Sequence, residues 1–224
     1  MKNLFSVQDK VIVITGAAGV LGTSMVHHFA EQGAKVVILD RNEEAGRRLE
    51  EAVKTEGGEV MFLYTDVLDK QVLEGNYTEI IARYGRIDVL INGAGGNMAG
   101  ATIAPDKTIF DLDIEAVRKV VDLNLFGIIL PTMTFTRAMI EQKQGSIINI
   151  SSESAIRPLT RVAGYGVAKA AVTNFTKYMC GELATKYGDG LRVNAIAPGF
   201  FITEQNRTLL LNPDGSYTER SKTI

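Results

Sequence analysis

At 224 residues with 46% hydrophobic side chains, the chain is long enough to close one sizeable core, and a single domain over 1–224 is the expectation. Its 24 Lys and Arg against 26 Asp and Glu exclude the broad basic field that nucleic acid or an anionic membrane surface would need. One cysteine, Cys180, and the adjacent His27 and His28 exclude a disulfide framework and offer no metal-ligand spacing, so no metal is expected and a small molecule is the default partner.

Asp9 and Lys10 interrupt the N-terminus before a secretory apolar core can form, and no later apolar run reads as long enough to span a bilayer. A cytoplasmic protein without membrane contact is expected. The first β-branched run, 11–14, enters Thr15-Gly16-Ala17-Ala18-Gly19-Val20-Leu21-Gly22, and an amphipathic pattern follows over 20–32. Glycines there let the backbone approach a pyrophosphate while the helix aims its positive end at it, although a tight strand-helix turn reads the same way.

A second strand, 35–39, is closed by Asp40 and Arg41, some twenty residues after the glycine turn. A carboxylate there can accept hydrogen bonds from ribose hydroxyls and repels a 2′-phosphate, which favours NAD over NADP, with Arg41 softening the repulsion. Helix 43–56 and strand 60–64 lead to Asp66-Val67, placed to meet an adenine ring. Helix 70–84 and strand 89–91 lead to Asn92-Gly93-Ala94-Gly95, placed near a second ribose. The longest irregular stretch, 93–113, follows that strand end, where such folds hold ligands.

A long helical pattern, 114–141, precedes strand 147–150, which ends in Ser151 and Ser152, and either hydroxyl can face a substrate carbonyl. Helix 163–187 then carries Tyr165 and Lys169, four residues apart and so on one face. A cation about 4 Å from a phenol, at an effective dielectric of about 20, is worth roughly 4 kcal/mol, or about three pK units before desolvation. Such a phenol can exchange a proton near neutrality, as reduction of a ketone demands. Strand 192–196 closes the pattern before Pro198-Gly199. Strict strand-helix alternation, with strands expected to be buried on both faces, implies a doubly wound parallel sheet of Rossmann type with six strands.

The glycine turn, Asn92-Gly93-Ala94-Gly95, Asn124, Ser152, Tyr165-Gly166-Val167-Ala168-Lys169 and Pro198-Gly199 stand in an order that resembles the short-chain dehydrogenase/reductase family from about Asp9 to Thr203. The resemblance implies that Tyr165 is the acid/base, that Ser152 orients the carbonyl, and that Lys169 binds the nicotinamide ribose and lowers the tyrosine pKa. Asn124 would hold a water that links Lys169 to solvent. The cofactor would touch Gly16, Gly19, Val20, Leu21, Gly22, Asp40, Arg41, Asp66, Val67, Asn92, Ala94, Gly95, Tyr165, Lys169, Pro198 and Gly199, with Thr203 on the carboxamide.

Two departures from the family pattern stand out. Val20 occupies the position where the family's middle glycine usually lies, which implies a slightly different path for the phosphate loop. The family also continues past its sixth strand into a further helix and a seventh strand that often build a dimer face. Here they are missing by Ile224, so the sixth strand is expected to be an exposed edge. A short product and a longer parent chain both fit this pattern, and a homo-oligomer, dimer or tetramer, is expected where those elements are present.

Within the family, the segments 95–98, 157–161 and 200–207 are similar to those of reductases that interconvert D-fructuronate and D-mannonate. They supply amides at Asn97, Gln205 and Asn206 for sugar hydroxyls, and Ser154 is a further candidate for substrate contact. Arg157, Arg161 and Arg207 are guanidinium candidates for a carboxylate, with Arg161 the first choice. A reductase for another ketogluconate, polyol or 3-oxoacyl thioester uses the same catalytic set. A non-catalytic dinucleotide-binding or subunit-interaction protein is the alternative from a different class.

Overall fold

The computed structural model describes residues 5–202 and 207–222. Strands and helices alternate as β1 Val11–Thr15, α1 Val20–Glu31, β2 Lys35–Asp40, α2 Glu43–Thr55, β3 Glu59–Tyr64, α3 Lys70–Tyr84 and β4 Val89–Asn92. The second half continues through α4 Ile114–Val121, α5 Gly127–Gln142, β5 Gly145–Ile150, α6 Ala163–Tyr187 and β6 Leu191–Ile196, followed by the short helices α7 Arg207–Leu210 and α8 Glu219–Lys222. All six strands run parallel in the order β3-β2-β1-β4-β5-β6. The order reverses between β1 and β4, which opens a crevice at their carboxyl ends.

Period-two alternation divides the core into two layers. Val13, Leu39, Leu90 and Ile147 face one way, onto Phe135 and Met139 of α5 and Leu183 of α6. Ile12, Ile14, Val36 and Ile38 face the other way, onto Val26 and Ala30 of α1 and Leu49 of α2. Full burial of each such side chain contributes about 1.5–3 kcal/mol, which makes the central strands a stable platform for the loops at their ends. Local signals set the helix ends. Asn42 caps α2 by accepting from the Ala45 amide, Asp69 caps α3 by accepting from the Gln71 and Val72 amides, and Gly85 ends α3 at φ 69°.

Three expectations need correction. First, the long helix is not uniform, because a π-helical turn over Asp122–Phe126 separates α4 from α5. Second, the continuous run Ile114–Gln142 is, by length and composition, long and apolar enough to cross a membrane, although 56% of its apolar window is buried in this fold, as suits a core helix. Third, β5 and β6 are not covered on both faces. In β6, Arg192, Asn194, Ala195 and Ile196 are exposed, and among the described residues the strand pairs only with β5. Helix α6 covers the face that carries Leu191 and Val193; the opposite face lacks a matching layer among the described residues.

Candidate active site

The β1–α1 turn is shaped by what cannot fit. Gly16 has φ 67° and lies so near the β4 loop that a Cβ would stand 2.8 Å from Ala94 Cα. At Gly22 a Cβ would stand 2.4 Å from the Gly16 carbonyl oxygen. Gly19 precedes α1 in an extended conformation with no side chain capping the helix, so the first amides of α1 stay available to an anion at the positive end of the helix. Val20 and Leu21 of this turn are exposed at 55% and 39%, an unusual setting for two aliphatic side chains at a crevice lip.

Asp40 closes this turn from β2: Oδ2 accepts from the Ala18 amide at 2.9 Å and Oδ1 from the Asn42 amide at 2.9 Å. Each oxygen keeps lone-pair capacity for a further donor. Arg41 is exposed beside it. Asp66 accepts from the Leu68 amide at 2.9 Å, and Val67 is buried against Gly127. Thr15, which sequence reasoning passed over as part of the turn, is fully buried, and its Oγ1 accepts from the amides of Gly93 at 3.1 Å and Ala94 at 3.2 Å. It clamps the two loops of the crevice together.

The side chain of Asn92 does not join them. It is buried within the sheet, where Nδ2 donates to Asn149 Oδ1 at 2.8 Å and Thr132 Oγ1 at 2.9 Å, and Asn149 donates onward to Thr176. Only its main chain remains for a ligand. Asn124, in the π turn, holds Gly96 from both sides: Oδ1 accepts from the Gly96 amide and Nδ2 donates to the Gly96 carbonyl at 2.6 Å and to the Val120 carbonyl at 2.8 Å. Both amide hydrogens are thereby committed, so a bound water would rest on the remaining acceptor capacity. Gly95 must lack a side chain, since a Cβ would stand 2.7 Å from Asn124 Oδ1 and 3.2 Å from Lys169 Nζ.

Two serines end β5, and packing separates them. Ser151 is buried, donating to the Lys169 carbonyl and sharing a 2.7 Å hydrogen bond with Thr173, so it serves α6 and not the crevice. Ser152 opens a short turn, Glu153–Ala155, and its Oγ accepts from the Ser154 amide at 3.2 Å and the Ser154 hydroxyl at 2.9 Å. Ser152 also stands close enough to Tyr165 to favour its phenolate form.

Tyr165 and Lys169 share a face of α6, with Nζ 5.6 Å from the ring centroid. Lys169 is 2% exposed and donates to the Ile150 carbonyl at 2.8 Å. Burial lowers its pKa to about 8. Burial pushes the Tyr165 pKa up, against the lowering expected from the lysine alone, and Ser152 opposes this in part. The reason is geometric, because the ammonium lies over the ring and is turned to a carbonyl, while desolvation penalises both charged forms.

Beyond Tyr165 opens a cleft of about 590 Å³, bounded by the 96–99 loop, the turn after Ser152, Pro198-Gly199 and Arg220 of α8. Asn97 and Ser154 line it. Asn97 is fixed from behind: Thr102 spends its proton on the Met98 carbonyl, so its oxygen can only accept, from Asn97 Nδ2 at 2.7 Å. Arg161, expected to face a substrate carboxylate, is not among the lining residues; its Nε donates to the Ile103 carbonyl at 2.9 Å. Arg157 lines the cleft in its place, and Arg207 does not. Glu153 and Arg220 also line it and carried no sequence signal beyond, for Glu153, adjacency to Ser152. Thr203, Gln205 and Asn206 lie outside the described residues.

A doubly wound sheet with an anion-ready glycine turn at its switch point, and a Ser-Tyr-Lys cluster beside it, defines a dinucleotide-dependent oxidoreductase acting on alcohol or carbonyl groups. The short chain dehydrogenase family pattern matches residues 10–213, and the chain belongs to that family. It is 40% identical to the Bacillus subtilis uncharacterized oxidoreductase UxuB over 223 residues, 96% of this chain and 79% of that one. A crystal structure from Haemophilus influenzae, described as a candidate D-mannonate oxidoreductase with bound NAD, shares 36% identity at a TM-score of 0.89, covering 97% of this chain and 80% of that one. A gluconate 5-dehydrogenase from Burkholderia cenocepacia, in complex with NADP and tartrate, shares 32% identity at a TM-score of 0.83, covering 95% and 79%.

Proposed function

We propose that residues 1–224 act as one dinucleotide-binding and catalytic domain. It transfers hydride between NAD(H) and a sugar-acid or polyol carbonyl, with D-fructuronate and D-mannonate as the substrate pair. The observation that carries the chemistry is that Ser152, Ser154 and Tyr165 line one cleft, with the buried Lys169 Nζ 5.6 Å from the centre of the Tyr165 ring.

The chain's residues fit the dinucleotide. The side-chain-free approach at Gly16 and Gly22, the uncapped start of α1 and the Asp40 carboxylate suit a pyrophosphate followed by an unphosphorylated ribose. The exposed Val20 and Leu21 offer apolar surface for a ligand to cover. Gly95, Asn124 and Lys169 converge where a second ribose would sit. NAD is also the cofactor bound in the Haemophilus relative. When bound, the nicotinamide supplies or accepts the hydride at the substrate carbon.

The remaining work belongs to the protein. Tyr165, a phenol that is protonated at neutral pH and whose pKa burial pushes further up, donates its proton to the carbonyl oxygen as the alcohol forms, and takes one back in the reverse direction. Ser152 holds that oxygen with its single proton, and Ser154 fixes the Ser152 rotor by donating to it. Lys169 keeps one N–H on the Ile150 carbonyl and has two for the ribose, which orients the ring against Tyr165. Exposed apolar side chains on α5 and α6, Met133, Val167 and Tyr178, suit assembly as a homo-oligomer.

NADH oxidation is measured with D-fructuronate, neutral ketoses and a 3-oxoacyl thioester. Fructuronate should give the highest kcat/KM; preference for another of these would move the substrate but keep the chemistry. Tyr165→Phe should lower kcat about 10²–10⁴-fold with NADH affinity retained. A loss under tenfold would show that another group carries the proton, whereas NADH binding with no ketone turned over by the wild type would favour the non-catalytic reading.

A further inference from the structure

The cleft contains three charged side chains among its described lining residues: Glu153, Arg157 and Arg220. Arg220 is engaged at the rim, donating to the Thr160 hydroxyl at 2.6 Å and the Thr160 carbonyl at 3.0 Å. Arg157 is held differently. It stands one turn after Glu153, its amide donating to the Glu153 carbonyl at 2.9 Å, and its guanidinium meets Glu153 Oε1 at 3.5 Å. The two side chains are 81% and 46% exposed.

We infer that Glu153 is a built-in stand-in for the substrate's carboxylate, holding Arg157 in position until an anionic substrate displaces it. This rests on the proposed sugar-acid reading and names the residues that would enforce it. A long, exposed pair of this kind is weak, so a ligand gives up no more than about fivefold in affinity to break it. The turn beginning at Ser152 keeps both groups at the cleft, since it is tied to the β6 loop by the Glu153 amide, which donates to the Pro198 carbonyl at 3.0 Å. A planar guanidinium can then engage the incoming carboxylate through two parallel N–H groups, a fork that Lys lacks. A neutral ketose offers Arg157 no such exchange and leaves it paired with Glu153. Arg157 and Glu153 thus determine specificity without taking part in proton transfer.

Binding of D-gluconate, which has no keto group to reduce, is measured by calorimetry in the presence of NADH. Glu153→Gln should tighten it about two- to fivefold by releasing Arg157. Arg157→Ala should weaken it at least tenfold, Arg157→Lys should restore only part of that loss, and the double variant should match Arg157→Ala alone. The inference is overturned if wild type binds no gluconate, if Glu153→Gln binds no tighter than wild type, or if affinity follows Arg220→Ala and not Arg157→Ala. NADH oxidation with fructuronate, run alongside, tests the substrate reading separately. Turnover without the Glu153 effect sinks only the exchange, while gluconate binding without turnover sinks the assigned reaction.

Discussion

Arg161 and Ile103 exchange two hydrogen bonds, the Ile103 amide to the Arg161 carbonyl and Arg161 Nε to the Ile103 carbonyl, each 2.9 Å. They fasten the loop after β4 to the entrance of α6, and Arg161 adopts φ 75° to do so. The side chain that looked from sequence like a ligand for substrate is part of the frame.

Arg161→Ala should therefore lower stability by about 1 kcal/mol, the net worth of a hydrogen bond. It should reduce kcat/KM by a similar factor for charged and neutral ketones. Denaturant titration and a two-substrate assay check this. A loss confined to the carboxylated ketose would return Arg161 to the substrate site.

Lys169 imposes a pH dependence on folding. Its pKa falls from 10.5 to about 8 on burial, so between those values the unfolded chain binds more protons and stability should rise with pH. Below about 8 the penalty is present in full, with an upper limit of roughly 3 kcal/mol. Lys169→Met should abolish turnover, flatten that rise, and be more stable than wild type at pH 7 by about 1–2 kcal/mol once the orphaned Ile150 carbonyl is charged against it. Urea unfolding at pH 7 and pH 10 decides the matter, and parallel slopes in the two proteins would refute it.

Asp40 closes the glycine turn and, on the proposed reading, would face the cofactor ribose. Asp40→Ala should weaken NADH at least tenfold while changing NADPH little, since the loss of a favourable ribose contact is offset, for the phosphorylated cofactor, by the loss of repulsion. Fluorescence titration with each cofactor measures the ratio. An equal loss for both would confine Asp40 to bracing the Ala18 and Asn42 amides.

Much of this protein was legible in one dimension. The 70–84 and 163–187 helices have the boundaries that periodicity and caps predict, and the strands agree within two residues, because buried β-branched runs and capping residues act locally. Tyr165 and Lys169 were recognisable because four residues of helix must place two side chains together. Resemblance to a family then assigned Ser152 over its neighbour. Charge spacing alone misjudged the phenol, since it left out the burial that penalises phenolate and ammonium alike.

By itself the sequence determined the order of the elements, the glycine turn and the placing of Tyr165 and Lys169 on one face of α6, all consequences of short-range sterics and hydrophobic period, while the tertiary structure supplied the switch in strand order between β1 and β4. Only the tertiary structure decided that Ser151 faces the core, that Asn92 is spent on Asn149, and that Arg157 and not Arg161 reaches the cleft. Those outcomes depend on contacts between residues about 20 to 60 positions apart, where a polar side chain takes whichever partner packing brings within 3 Å, and no local pattern records the choice.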